Sequence, residues 1–330
     1  MKKRHIFGID VSKHTLDVVH HSTGRHIQIS NDESGFTELL KWFKPLKATK
    51  SNSWVIFEYT GMYTQALLVF CEANKIAYTQ VPGLMIKLSS GIKRGKNDKI
   101  DAGTIARFAY EKRDSLGLSA SPNKITERLK SLMNLREKMV IQRAGYKAVI
   151  KELKSVLKLQ DTDILVSTQT ALIQVLNKEI KAIEQEVKEL IGSCDDIQKN
   201  YDLLISIKGV GFVLAAYTLV YTANFTKFTD ARKFACYCGT APFDNSSGKS
   251  QKPRPKVHSL ANKRMKSLLD QSARCAIYWD KEIKAYYERR TEGKANKMST
   301  INIVRNKMIY RMFAVVKRQT PFVENYKKAA

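Results

Sequence analysis

The chain has 330 residues and a formal net charge of +26, from 57 lysines and arginines against 31 aspartates and glutamates. With 43% hydrophobic residues it has enough apolar material for roughly two or three compact units. Residues 244–330 alone hold 21 basic and seven acidic side chains. A surplus of this size favours a polyanionic partner, because each neutralised phosphate releases condensed counterions. Composition therefore predicts binding of nucleic acid.

Neither a signal-peptide core nor a run of about 18 apolar residues is evident, so we expect no membrane segment and no membrane partner. The five cysteines form an odd, scattered set that indicates reduced thiols. Cys236 and Cys238 lack the spacing and the second pair that a structural zinc site requires. We therefore expect a cytoplasmic protein.

Strand-like runs and amphipathic helices alternate along the first third of the chain. Runs rich in β-branched and aromatic residues predict strands over 5–10, 16–20, 26–30, 54–58 and 76–81. Helical spacing of apolar residues predicts helices after residue 34, over 63–74 and over 98–112. Three strands, then helix, strand, helix, strand and helix, is the order of a ribonuclease-H-like sheet. We predict this α/β fold for residues 1–118.

Two long charged stretches, over 124–159 and 168–191, carry leucine, isoleucine and valine at helical spacing. They predict an antiparallel hairpin or a coiled-coil arm that joins two copies, within residues 119–195. Their charges are typical of solvated helix faces. We therefore assign no chemistry to the arm.

The last region, 196–330, is predicted to be mainly α-helical. Gly209-Val210-Gly211 lies between two predicted helices and matches a helix–hairpin–helix turn. The backbone N–H groups at Gly209 and Gly211 are candidates for phosphate contact, although a tight helix–helix turn would use the same glycines. A basic, helix-free loop covers 244–256, and its candidate nucleic-acid contacts are Lys249, Lys252, Arg254 and Lys256.

Four acidic residues stand where chemistry is expected. Asp10 and Glu58 each end an apolar run, and Asp98 and Asp101 lie three residues apart at the start of a helix, hence on one face. Carboxylates at the ends of buried strands are costly unless something neutralises them. The set suits one or two Mg²⁺ ions, with Mn²⁺ as a substitute, that activate the attacking oxygen and stabilise the leaving oxygen at a phosphodiester.

Basic residues next to the acids predict contact with the phosphate backbone, and they are Lys93, Arg94 and Lys96. Each acid also has an ordinary structural interpretation: Asp98 as a helix N-cap, Asp10 as a turn residue and Glu58 as an exposed strand end. A phosphate loop of sugar kinases or actin-like ATPases is a weaker alternative. Those loops usually place glycine soon after the aspartate, where this chain has Val11 and Ser12.

Three motifs in this order resemble the DEDD insertion-sequence transposases of the "one-ten" group, which are bridge-RNA-guided recombinases. The motifs are Gly8-Ile9-Asp10-Val11-Ser12-Lys13, Glu58-Tyr59-Thr60-Gly61 and Lys96-Asn97-Asp98-Lys99-Ile100-Asp101-Ala102. The glycine turn and the run from Phe234 to Pro242 agree as well. Asn97, Lys208 and Tyr59 depart from the family pattern, which puts local geometry in doubt but removes no metal ligand.

The resemblance implies a RuvC-like catalytic domain, a helical arm and a C-terminal transposase domain, with Mg²⁺ on the four acids. It also implies a serine nucleophile that forms a phosphoserine with DNA. Matched from Pro242 onward, that serine falls on Ser247, with Ser246 and Ser250 near enough for a register slip. Donor and target DNA, a structured guide RNA, and a dimer or tetramer with active sites shared between protomers are further expectations.

Two rival functions fit the same residues. One is a RuvC-like junction endonuclease that cuts through metal-activated water and leaves Ser247 idle. The other is a non-catalytic RNA-binding scaffold that uses only the basic surface. Four acids in the order that a metal site needs argue against the scaffold.

Overall fold

The computed structural model describes residues 5–89, 97–119, 123–242, 257, 260–293 and 295–324. The chain divides into two compact units, Met1–Ser121 and Pro122–Ala330. The first unit contains every strand of the described residues, and the second is built from helices. The mixed α/β region followed by a mainly helical region is confirmed, whereas the division of the second unit at residue 195 stays a prediction.

A five-stranded sheet forms the centre of the first unit. Its strands are β1 (His5–Val11), β2 (Thr15–His20), β3 (His26–Ser30), β4 (Ser53–Glu58) and β5 (Ala77–Val81). Their order across the sheet is β3-β2-β1-β4-β5. The pairs β1–β2 and β2–β3 are antiparallel, and the pairs β1–β4 and β4–β5 are parallel. The five predicted strands are therefore confirmed to within about one residue at either end.

Four α-helices accompany the sheet: α1 (Glu33–Phe43), α2 (Gln65–Ala73), α3 (Gly83–Ser89) and α4 (Asp98–Glu111). Asp32 caps α1, because its side chain accepts hydrogen bonds from the backbone N–H groups of Ser34 and Gly35. Pro82 and Gly83 suggest only a turn after β5, so α3 was missed by the sequence patterns.

Apolar side chains cover both faces of the sheet, because successive strand residues point to opposite sides. One face packs against α1 and α2, with Phe7, Phe43 and Phe57 fully buried there. The other face packs against α3 and α4 through a smaller cluster that includes Ile56 and Ile105. Because helices cover both faces of the sheet, polar side chains can lie close together at the carboxyl ends of β1 and β4.

The second unit begins with the two long helices of the arm, α5 (Lys124–Ser155) and α6 (Ile164–Gly192). Side-chain contacts show that the two helices are antiparallel, because a later residue of α5 meets an earlier residue of α6. Arg136 pairs with Glu184 at 2.6 Å, and Arg143 donates a hydrogen bond to Asn177 at 2.7 Å. The predicted antiparallel hairpin is therefore confirmed.

Six shorter helices complete the second unit: α7 (Asp195–Ile205), α8 (Phe212–Thr222), α9 (Ala231–Tyr237), α10 (Lys263–Trp279), α11 (Lys281–Glu292) and α12 (Lys297–Arg318). They share one apolar core with the base of the arm, where Met133 and Val187 are buried. The buried hydroxyl of Tyr217 donates to Met133 O at 3.0 Å and to Glu137 Oε2 at 2.8 Å. The base of the arm is thus part of this core.

Among the helices of the described residues, none is both long enough and apolar enough to cross a lipid bilayer. All five cysteines are free thiols.

Candidate metal and nucleic-acid site

Asp10 and Glu58 lie side by side at one end of the sheet. In the parallel pair β1–β4, Ile9 is opposite Phe57, so the next residue along each strand is an acid. Ile9 and Phe57 are buried in the core on the side of α1 and α2. Strand alternation therefore places Asp10 and Glu58 on the opposite face, which α4 covers.

A close approach between β1 and α4 brings the other two acids to this place. A Cβ atom on Gly8 would lie 2.3 Å from the backbone nitrogen of Ala106 and 2.4 Å from the carbonyl oxygen of Ala102. The helix backbone therefore rests directly on the strand, and only glycine fits at position 8. Asp98 and Asp101 form the first turn of this helix, two and one helical turns before the contact.

Asn97, not Asp98, caps α4. The Asn97 side chain accepts a hydrogen bond from the backbone N–H of Ile100 at 2.7 Å. The interpretation of Asp98 as the N-cap is therefore wrong, and its carboxylate is exposed on the first turn. Asp101 is half-buried on the same helix face.

The other three predicted acids act electrostatically on Asp10. Burial, and after it repulsion from nearby carboxylates, raises the pKa of Asp10 from its ordinary value of 3.8 to about 6. The contributing carboxylates, in decreasing order of effect, belong to Asp101, Asp98, Asp17 and Glu58. Asp10 is thus at the centre of a concentration of negative charge that contains all four predicted acids.

Asp17 is a fifth acid in this region, and the sequence patterns missed it. It is the direct partner of Asp10 across the β1–β2 pair and is almost fully buried. Both of its oxygens are occupied, by His26 Nε2 at 2.6 Å and Gln28 Nε2 at 3.0 Å. An acid between two apolar residues of a strand, opposite Asp10 in the hairpin, is the signal that would have identified it.

The Glu58 carboxylate occupies the space beside Gly83. A Cβ atom at Gly83 would lie 1.8 Å from Glu58 Oε1 and 2.3 Å from its Cδ. Gly83 begins α3 immediately after β5, and β5 lies beside β4 with Val81 opposite Glu58. The absence of a side chain at position 83 therefore determines where this carboxylate lies.

Within the described residues, no three aspartate, glutamate, histidine or cysteine side chains converge closely enough to hold a metal ion as they stand. The four acids interact at electrostatic range, and their joint ligation of a metal stays a prediction. Their chemistry fits a hard divalent cation, which prefers carboxylate oxygen and would offset the repulsion that raises the pKa of Asp10.

Several predicted site residues lie outside the described residues. They are Ser247 with its neighbours Ser246 and Ser250, and the basic residues Lys93, Arg94, Lys96, Lys249, Lys252, Arg254 and Lys256. These positions stay predictions of the sequence.

The described residues on either side of 243–256 are firmly held. The Thr240 carbonyl accepts hydrogen bonds from the side-chain amides of Asn302 at 2.8 Å and Asn306 at 2.9 Å, both on α12. A Cβ atom on Gly239 would lie 2.6 Å from the Cβ of Ala261. The chain therefore leaves α9 and returns to α10 at nearly the same point.

The glycine turn before α8 has two distinct positions. Gly209 has a φ of +92°, and a Cβ there would lie 2.8 Å from the carbonyl oxygen of Ser272, so packing alone explains this glycine. Gly211 is the N-cap of α8, with no capping side chain, and a Cβ atom added there would meet no atom within 4 Å. Of the two positions, Gly211 is the one at which a phosphate contact would explain the glycine.

Comparison with known sequences agrees with the arrangement of the acids. Residues 7–159 match the family DEDD_Tnp_IS110, which is described as a transposase. Residues 201–288 match the transposase IS116/IS110/IS902 family. The first match contains the four acids, and the second contains the glycine turn and the positions from Phe234 to Ser250.

Individual relatives extend the similarity along nearly the whole chain. The pilin gene-inverting proteins of Moraxella lacunata and Moraxella bovis are each 27% identical over 331 residues, which cover 98% of this chain and 98% of theirs. An insertion element IS110 protein of 43.6 kDa from Streptomyces coelicolor is 28% identical over 163 residues, 48% of this chain and 38% of that protein. Two consecutive family matches and these relatives show that the chain belongs to the IS110 family of transposases and is an enzyme that acts on DNA.

Proposed function

We propose that the chain is a Mg²⁺-dependent recombinase of a mobile element that cuts and rejoins DNA through Ser247. The observation that supports the metal-dependent part is the position of Asp10, which is half-buried at the end of β1 next to Glu58 at the end of β4, on the face covered by the helix that begins with Asp98 and Asp101. Burial, and after it repulsion from Asp101, Asp98, Asp17 and Glu58, raises the pKa of Asp10 to about 6. The strand order β3-β2-β1-β4-β5, with β2 antiparallel to both of its neighbours, is consistent with the proposed ribonuclease-H-like fold and supports the same interpretation.

Asp10, Glu58, Asp98 and Asp101 would hold the metal. A divalent cation there supplies positive charge against the phosphodiester and activates an attacking oxygen. In this proposal the cation draws the carboxylates together. The side chains of Asp98, which is exposed, and Asp101, which is half-buried, can change conformation to reach it. Asp17 stays engaged with His26 and Gln28, so it contributes charge without being a free ligand.

Rejoining distinguishes a recombinase from a nuclease. The two relatives that match over 98% of both chains are named for inverting a pilin gene, and inversion requires that each cut DNA strand is joined to a different strand end. In our proposal Ser247 Oγ loses its proton and attacks phosphorus, and the P–O bond to one deoxyribose breaks. That sugar oxygen takes up a proton. A strand hydroxyl then reverses the step on the phosphoserine, so the bond energy is conserved without ATP.

We also propose that a structured guide RNA directs the enzyme to donor and target DNA. The charge surplus of the C-terminal region supports a second polyanionic partner beside DNA. Association of two or four copies is supported by the tip of the arm, where large apolar side chains are exposed. They are Val156, Leu157, Ile164 and Leu165. Active sites shared between copies are part of this proposal.

Covalent trapping tests the nucleophile. Wild-type enzyme is incubated with element-end DNA, guide RNA and Mg²⁺, then denatured and resolved by size. We expect a protein–DNA adduct in wild type and none in Ser247→Ala, with Ser246→Ala and Ser250→Ala as matched controls that retain it. Cleavage without any adduct would instead favour the junction endonuclease that uses water.

Loss-of-ligand variants test the scaffold alternative. Asp10→Ala and Glu58→Ala should each lower DNA cleavage by at least about 10²-fold, in the range typical of lost catalytic electrostatic groups. RNA binding should be retained. Unchanged DNA processing in both variants would favour an RNA-binding scaffold.

A further inference from the structure

Tyr278 and Trp279 are the two most exposed aromatic residues in the described part of the chain. Their exposed fractions are 73% and 65%, and they end helix α10. The two rings meet edge to face, with centroids 4.7 Å apart and an interplanar angle of 74°. Both rings therefore present much of their surface to solvent, where a ligand can reach them.

A rigid corner of the backbone imposes this exposure. Asp280, which follows Trp279, is buried, caps α11 through the backbone N–H of Ile283 at 2.9 Å, and pairs with Arg311 at 2.6 Å. Ala276 and Ile283 are buried on either side of the corner. Because the corner is fixed from within, the aromatic pair is held in place before any ligand arrives.

The surroundings of the pair are electropositive. Three neighbouring acids are matched by three arginines: Arg311 pairs with Asp280 and Glu282, and Arg274 and Arg305 both pair with Asp270. Lys281 and Lys284 are exposed on α11, and no acid of the described residues lies within ion-pair distance of either. A polyanionic ligand suits this surface better than an apolar protein face does.

We propose that Tyr278 and Trp279 form a stacking platform for unpaired bases of single-stranded DNA. Every base has a flat π-face, and stacking on an exposed aromatic ring contributes to affinity without requiring a particular sequence. Cutting and rejoining DNA exposes unpaired bases, so the platform would hold a strand while its ends are free. Neither the metal ligands nor Ser247 is needed for this binding, so it can be tested without them.

Tryptophan fluorescence reports on the platform directly. The chain has three tryptophans. Trp54 is buried, Trp42 is half-buried with its ring against Phe7, and Trp279 is exposed, so a ligand in solution has most access to Trp279. Full-length protein is titrated, without divalent metal, with an unstructured oligothymidylate, an oligouridylate of equal length, and a DNA duplex of equal charge. We expect oligothymidylate to quench the emission and the duplex to leave it nearly unchanged. Trp42→Phe should retain the quenching, and Trp279→Phe should lose it.

Affinities of variants complete the test. Trp279→Ala and Tyr278→Ala should each weaken oligothymidylate binding by about 5- to 100-fold, whereas Trp279→Phe should stay within about 3-fold of wild type. Duplex affinity and thermal stability should not change. Equal weakening of single-stranded and duplex binding, binding of oligouridylate but not oligothymidylate, or a change in oligomeric state with unaltered DNA affinity would each overturn the proposal.

Discussion

Asp10 combines burial with like-charge neighbours, and both act in the same direction on its protonation. At neutral pH the carboxylate is ionised at a cost to the folded state, which is common where a site is built for function and not for stability. Asp17 faces the same region but is stabilised by His26 and Gln28. Two adjacent aspartates thus differ: one is satisfied by the protein, and the other is left for a ligand.

Asp10→Asn should stabilise the metal-free protein at neutral pH while abolishing DNA cleavage. The folded-state pKa of about 6 lies above the ordinary 3.8, so the folded chain binds this proton more tightly than the unfolded chain. The stabilisation from protonation is complete below about pH 4 and is lost as the pH rises through 6. We expect the melting temperature of the variant to exceed that of wild type by about 2–4 °C at pH 7 and to match it near pH 4.

Scanning calorimetry across this pH range measures the effect, with Asp114→Asn, an exposed aspartate of the same unit, as the matched control. A wild-type protein that is more stable than Asp10→Asn at pH 7 would contradict the assigned charge repulsion.

Gly83→Ala should displace the Glu58 carboxylate without unfolding the protein. The backbone at Gly83 suits an L-residue, and the three atoms nearest to the new methyl group all belong to the flexible end of the Glu58 side chain. We expect Mn²⁺ affinity to fall by about tenfold or more, with an unchanged melting temperature. Gly103→Ala, where the added Cβ meets open space, is the control. Wild-type Mn²⁺ affinity in Gly83→Ala would show that position 83 does not hold Glu58 in place.

Helix α4 shows which features of the candidate site could be predicted from the sequence and which could not. Its extent and the position of Asp98 and Asp101 follow from helical spacing, because these are local properties. The contact that places its first turn beside Asp10 depends on Gly8 and Ala106, which are 98 residues apart and carry no joint pattern in one sequence.

Strands were predictable because buried β-branched runs differ from their surroundings, and α5 and α6 because their apolar stripes are long. The sequence patterns did not predict helix α11, because Ile283 is its one buried residue and the helix therefore shows little apolar periodicity. Asp17 was missed because its significance depends on the hairpin register opposite Asp10.

Asn306→Ala should impair strand cleavage more than DNA binding. It removes the Asn306 bonds to the Thr240 carbonyl and hydroxyl, and Thr240 lies where the chain enters the segment with Ser247. We expect cleavage and adduct formation to fall by about tenfold with DNA affinity within about twofold of wild type. Lost buried hydrogen bonds also cost roughly 1–3 kcal/mol of stability.

Val304→Ala separates the two effects, because Val304 is fully buried on the same helix, contributes no bond to Thr240, and should lose comparable stability while keeping cleavage. Equal loss of cleavage in both variants would mean that stability alone, and not the anchoring of Thr240, is responsible.

Over the whole molecule, charge is divided unequally between the two units. The unit Pro122–Ala330 carries a surplus of 19 positive charges, and the unit Met1–Ser121 a surplus of seven, although it holds the acidic cluster. We therefore expect the helical unit to contribute most of the affinity for nucleic acid, whereas the sheet unit contains the four predicted acids. Mutation of basic residues in the helical unit should then weaken binding of nucleic acid, whereas mutation of the acids in the sheet unit should impair cleavage.

Salt should affect binding strongly and uniformly across DNA sequences. Between about 50 and about 200 mM salt, we expect duplex affinity to fall by roughly 10³-fold, as counterion release at six or more phosphates implies. Asp10→Ala should show the same slope of log affinity against log salt, since Asp10 contacts no phosphate when metal is absent. A salt-independent affinity would contradict the electrostatic account.

Binding of Mn²⁺ to the full-length protein, followed by calorimetric titration, tests the central claim most directly. We expect one or two ions per chain in wild type, loss of binding in Asp10→Ala and in Glu58→Ala, and retention in the control Asp114→Ala. We also expect proton release on binding near pH 6, because the cation displaces the proton that Asp10 binds there. Absence of binding by folded wild-type protein at millimolar Mn²⁺, or equal binding by wild type and the two variants, would contradict it.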